Sequence, residues 1–197
     1  MAEDNVVRSC SYHGNPCPKA AVNPDRADTT PASGTQTRPG SLMSTSDGQM
    51  VWGGPVVYRG ITLAAGSFIN SDGTTIELDR PTQIGDAWYS CTVRVSEEGE
   101  VISGILASET RTKNGDVLPA GTEVWYSGSD LAKVRSSTHA LTIRGISVPA
   151  NTDIELDNEG YARRLEFHSV RGTTYDNRSY PNYYSIIIDH QGHRIEQ

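Results

Sequence analysis

The sequence has no apolar run approaching the roughly 18 residues needed to cross a bilayer, and its opening "MAEDNVVRSC" lacks the basic and apolar regions of a secretory signal. The expectation is a soluble chain without membrane insertion. Apolar residues are scarce in general, 36% of 197, which leaves little continuous core; with abundant Gly, Ser and Thr, many turns are predicted. Cationic excess is also missing. Lys and Arg number 17 against 24 Asp and Glu, a net charge of −7, and residues 131–197 hold eight of each sign, so the whole excess lies in residues 1–130. That balance argues against a nucleic-acid partner. Cysteine is sparse and odd in number, with Cys10, Cys17 and Cys91, so one chain cannot pair them all and a reducing compartment is favoured. The length suits one core or one elongated repeat array, and is short for two ordinary enzyme domains.

What is present is a recurring pattern. Ser-Asp-Gly occurs in "MSTSDGQMVWGGPVVYRG" (43–60) and in "INSDGTTIELDRPTQIG" (69–85), each time with another glycine twelve residues on. Taking Gly60, Gly85, Gly115 and Gly145 as anchors, Gly66, Cys91, Gly121 and Asn151 follow six residues later, and Ser67, Thr92, Thr122 and Thr152 one further. An alternating strand comes next, as in "VWY" (124–126) or "IEL" (154–156), then a turn at Gly73, Gly99, Asp130 or Gly160. Gly34 and Gly172 extend the series, with Gly40, Ser41 and Gly48 at the expected offsets after Gly34. Such self-similarity is the signature of a repeat architecture.

Each feature has a physical reason. Asp-Gly and Glu-Gly turns supply the positive φ of tight hairpin loops. Alternation puts Val124 and Tyr126, or Ile154 and Leu156, on one face, and Glu123 and Trp125, or Asp153 and Glu155, on the other. A sheet wet on one face must cover the other by curling, by stacking or by docking on another chain. The prediction is therefore all-β: twelve strands in about six hairpin units, a meander that is solenoid-like or folded into a sandwich. No convincing amphipathic helix competes, since "DLAKVRSS" (130–137) falls where the pattern places a returning strand.

The stretches "VLPAGTEVWYSGSDL" and "RGISVPANTDIELDNEGY", and more faintly "ITLAAGSFINSDG", resemble bacterial β-hairpin repeats related to the MORN type. The resemblance spans at most residues 34–197 and lacks the frequent Tyr-Glu-Gly signatures of MORN proper. It implies a scaffold or binding surface and brings no catalytic residue with it.

Residues 1–33 share neither period nor alternation and are rich in Pro, Ala and Asp. They are expected to form an extended N-terminal arm held by a neighbouring subunit, with residues 34–197 as the repeat domain. Within the arm, "CSYHGNPC" offers Cys10, His13 and Cys17 as zinc ligands, but a closed site needs four; a Cys10–Cys17 disulfide and two unlinked thiols are the alternatives. At the other end, "DHQGH" sets His190 and His193 beside the turn at Gly192. The carboxylates of "SEEGE" and "ELDNEG" fall on turns, where they are usually solvated. No Gly-x-Ser-x-Gly elbow appears.

The last unit departs from the pattern by an apparent insertion, "TTYDNRSYPNYYS" (173–185). It gathers Tyr175, Tyr180, Tyr183, Tyr184 and Arg178 in one long loop. Tyr-rich loops make rigid amphipathic contact surfaces, although rings here can equally cap the open end of an array. Arg163, Arg164 and Arg171 lie near it.

These features point to a non-catalytic structural or interaction protein without cofactor. It would belong to a larger assembly, a phage or virion particle (tail, fibre or capsid accessory), cytoplasmic before assembly, homo-oligomeric or bound to other subunits through the arm. The alternatives are a bacterial exported or surface binding module for a glycan or protein, and a secreted effector hydrolase built on His139 or His168.

Overall fold

The computed structural model describes residues 42–44 and 50–195. The proposed arm, with Cys10, His13 and Cys17, and the anchor Gly34 with Gly40, Ser41 and Gly48 lie outside the described residues.

Among the described residues there are twenty strands and no helix. They begin with β1 (Leu42–Ser44), β2 (Met50–Trp52), β3 (Val56–Tyr58), β4 (Ile61–Leu63), β5 (Phe68–Ile69), β6 (Thr75–Glu77) and β7 (Thr82–Ile84). Next come β8 (Ala87–Val95), β9 (Val101–Leu106), β10 (Thr110–Arg111), β11 (Val117–Leu118), β12 (Glu123–Ser127) and β13 (Asp130–Ser136). The last are β14 (Leu141–Ile143), β15 (Ile146–Val148), β16 (Thr152–Leu156), β17 (Ala162–Phe167), β18 (Thr173–Tyr175), β19 (Arg178–Tyr180) and β20 (Tyr184–Ile187). All pairings are antiparallel. One ten-stranded sheet runs β5-β6-β8-β9-β12-β13-β16-β17-β20, with β7 joined to β8, and five two-stranded hairpins stand apart from it.

The alternation seen in the sequence decides the faces. In β16, Thr152, Ile154 and Leu156 are buried while Asp153 and Glu155 face outward, and in β12 Val124 is buried between Glu123 and Trp125. One apolar cluster collects Ile76, Val93, Val124, Val134, Ile154, Leu165 and Ile186 from the large sheet with Leu63, Ile84, Leu118, Ile143 and Val148 from the short hairpins. The short hairpins thus cover one face of the sheet; the other stays polar.

The expectation of one hairpin per unit needs correction. Short hairpins β3–β4, β7–β8, β10–β11 and β14–β15 alternate with the pairs of the large sheet, so the described residues hold twenty strands where twelve were expected of the chain. The anchors Gly60, Gly85, Gly115 and Gly145 are themselves hairpin turns. Arg59-Gly60 and Arg144-Gly145 both have positive φ at two successive residues, the type I′ geometry that matches strand twist.

A second correction concerns the last anchor. Gly172 precedes β18 and does not turn the next hairpin; the turn of β18–β19 is Asp176-Asn177, again with φ positive at both residues. The segment read as a long loop is therefore another short hairpin. Asn and Asp tolerate the left-handed region better than other non-glycine residues, so a search for glycine passes over this turn.

The position six residues past the anchors Gly60, Gly85, Gly115 and Gly145 is left-handed: Gly66, Cys91, Gly121 and Asn151 have φ of 89°, 62°, 83° and 56°. Counting from Asn177, it falls on Tyr183, with φ 59°. The N–H groups of Gly66, Gly121, Asn151 and Tyr183 donate to the carbonyls of Trp52, Leu106, Ser136 and Phe167. At each of these points the chain leaves a short hairpin and joins the large sheet.

Candidate functional site

The tyrosines separate into two pairs. Tyr175 and Tyr180 are core residues: Tyr180 stacks on Phe167 with centroids 5.1 Å apart, and the Tyr175 hydroxyl donates to the Gly192 carbonyl at 2.7 Å. Burial first, then the negative charges of Asp176 and Asp189, push the Tyr175 phenol up to about 12. Tyr183 and Tyr184 are the surface pair, 73% and 37% exposed. Tyr184 leans on Tyr180 at 5.5 Å, and Tyr183 meets the His168 ring edge-on at 5.4 Å. Arg178 sits exposed on β19, opposite Tyr175 in the register.

Beside Tyr183, the polar face of the large sheet carries a row of cross-strand charges. The register aligns Glu123, Arg135, Asp153, Glu166 and Ser185 across five strands. Arg135 bridges Glu123 at 2.7 Å and Asp153 at 3.5 Å, and Lys133 reaches Asp153 at 3.0 Å. His168 ends the row with Nε2 3.5 Å from Asp153 Oδ1 and 3.8 Å from Glu166 Oε1. One row on, Arg163 and Arg164 face Glu155, and the Lys133 ammonium sits 4.1 Å from the Trp125 ring centroid. These charges largely neutralise one another, so the face is polar without strong net sign.

The turn histidines have local roles. His190 hydrogen-bonds Asp157 at 3.0 Å and stacks on Tyr161 at 4.1 Å, with Arg144 4.5 Å from the same tyrosine ring. His193 faces Asp189 at 3.7 Å and donates its backbone N–H to the Asp189 carboxylate. Of the turn carboxylates, Asp157 accepts the backbone N–H groups of Glu159 and Tyr161. Among the described residues no group of three or more His, Cys, Asp or Glu side chains is arranged to hold a metal ion.

Cys91 is disulfide-bonded. From the sequence, only a Cys10–Cys17 disulfide or unlinked thiols in the arm are expected, a pairing that lies outside the described residues. The signal was the cysteine itself, at a position otherwise held by Gly, Asn or Tyr.

Two shallow grooves open between neighbouring short hairpins. One, of about 590 Å³, lies between β14–β15, β18–β19 and the Gly192 turn, with Ser147, Thr174, Asp176, Gln191 and His193 on its walls. The other, of about 340 Å³, separates β3–β4 from β7–β8 and contains Thr62, Arg80, Gln83 and Trp88. Neither is lined by His139 or His168. Comparison of the chain with protein-family models, curated proteins and solved structures finds no match.

Proposed function

We propose that this chain is a non-catalytic interaction protein that works as a part of a larger assembly, a virion or phage particle component being the best fit. The observation that carries this reading is the end of the large sheet. Among the described residues strand β20 is paired only to β17; beyond it the chain returns so that Ile195 N–H meets the Ile187 carbonyl, and nothing described pairs the outer side of Tyr184–Ile186. Tyr184, Ile187 and Ile195 expose apolar surface there, the last two at 39% and 47%. An unpaired strand with exposed apolar side chains is a template for a neighbouring chain.

In the same reading the chain is a row of six units, each a short and a long hairpin, stacked as a solenoid-like two-layer array. The recurrence of left-handed residues at one position per unit supports this. Residues 1–33 form the arm that attaches to a neighbouring subunit. Native mass spectrometry and limited proteolysis of the full chain test the proposal. The expected result is a defined oligomer whose first 33 residues resist cleavage. A monomer whose arm is freely cut overturns it.

A second reading is favoured by Tyr183. A bulky residue in the left-handed region is strained, and strain at an exposed aromatic is a feature of ligand-contact sites, as in a surface module for a glycan or protein. Binding by the isolated monomer, abolished by Tyr183→Ala with Tyr184→Ala, would establish it. Tyr180→Ala is unsuitable because that ring belongs to the core.

A further inference from the structure

We propose that the groove between β3–β4 and β7–β8 binds a saccharide carrying a carboxylate, of the hexuronate class. Trp88 projects from β8 away from the buried Tyr89 and is 40% exposed. A ring with a large apolar face, left open inside a groove of about 340 Å³, offers a plane on which the C–H face of a sugar packs while its indole N–H remains a donor.

Hydrogen-bonding groups flank that plane from both hairpins. The register sets Gln83 directly across from Trp88, and Thr62 faces outward from β4 on the opposite wall. An amide and a hydroxyl on either side of an aromatic ring match the alternating donors and acceptors of a sugar. Neither group is charged, so both serve any hydroxylated ring.

Arg80 sets the preference for an acid. It is exposed, and among the described residues its guanidinium faces no carboxylate, whereas Arg135, Arg163 and Arg164 on the polar sheet face each do. A guanidinium fork matches a carboxylate through two parallel hydrogen bonds. Asp79 and Asp86 lie close by in sequence, and the chain carries a net charge of −7. Long-range attraction of a polyanion is therefore weak, and one carboxylate per site is what a single arginine accommodates.

The experiment is isothermal titration of the full chain with trimers of galacturonate, guluronate and mannuronate, and with galactotriose as the neutral control. At least one acidic trimer is expected to bind saturably. Arg80→Gln should weaken it by about 10- to 100-fold, the range of a charge-assisted hydrogen bond, and galactotriose should trail by a similar factor. Trp88→Ala should abolish binding. Gln83→Ala, at an exposed position, serves as a second variant if Trp88→Ala fails to fold, and should weaken binding. Absence of saturable binding for every acidic trimer overturns the proposal. So does galactotriose binding as tightly as the acids, or binding indifferent to Arg80 and Gln83. A concentration-dependent dimer that Trp88→Ala abolishes would assign the groove to a second copy of the chain, and also overturns it.

Discussion

Single residues carry the clearest physical tension in this molecule. Tyr183 holds a left-handed φ of 59° where the related positions have Gly66, Gly121 and Asn151, and its exposed ring recovers little by burial. Tyr183→Asn is expected to leave stability equal or raise it by up to about 1 kcal/mol, as read by chemical denaturation. Phe167, fully buried beneath Tyr180 and Tyr175, is the opposite case, and Phe167→Ala should cost about 3–5 kcal/mol. Glu77 is pushed up first by burial, partly offset by the Thr92 hydroxyl it accepts at 2.7 Å. A carboxyl whose folded pKa is raised destabilises the fold once ionised, and this penalty disappears as pH falls through the folded value. Glu77→Gln, which keeps an acceptor for Thr92, should therefore be more stable than the parent at neutral pH and lose that advantage in acid. Asp189 behaves in reverse, because backbone N–H groups of His193 and Gln191 hold its carboxyl down. Its contribution is present above the unfolded value of about 3.9 and lost as pH falls through the lower folded value. Asp189→Asn should be less stable than the parent at neutral pH, with the gap closing as pH falls through that lowered folded value.

At the scale of elements, the hairpins were readable and their number was not. Turns at Gly99, Gly160 and Gly192 share one plan: the glycine N–H donates to the carbonyl three residues back, at Ser96, Asp157 or Asp189, and that residue's side chain accepts two further N–H groups. Glycine, alternation and a short polar side chain announce such a turn in any sequence. The short hairpins hid because their strands are only two or three residues long over most of the chain, too brief for alternation to register. Pairing partners are also invisible without coordinates, so Glu123, Arg135, Asp153 and Glu166 could not be read as one row. The β8–β9 pair shows another hidden constraint. Gly104 is buried, and a Cβ there would lie 2.8 Å from the Tyr89 ring. Gly104→Ala should displace that ring, at a cost of about 1–3 kcal/mol in thermal or denaturant unfolding.

For the whole molecule, the disulfide at Cys91 alters the thiol inventory. With three cysteines in the chain and two consumed per disulfide, alkylation of the unfolded, unreduced protein should modify one cysteine, and Cys91 should stay unmodified until reductant is added. Three modified residues would remove the disulfide from consideration. The order of strands has a wider effect. Along the large sheet, β5, β6, β8, β9, β12, β13, β16, β17 and β20 follow one another as they do in the chain, and the skipped strands fold back within their own short hairpins. Among the described residues no strand waits for a partner from the far end of the sequence. A chain emerging from the ribosome can therefore add each hairpin to an edge already formed, so synthesis and assembly of the sheet advance together and only the newest strand is unpaired at any moment.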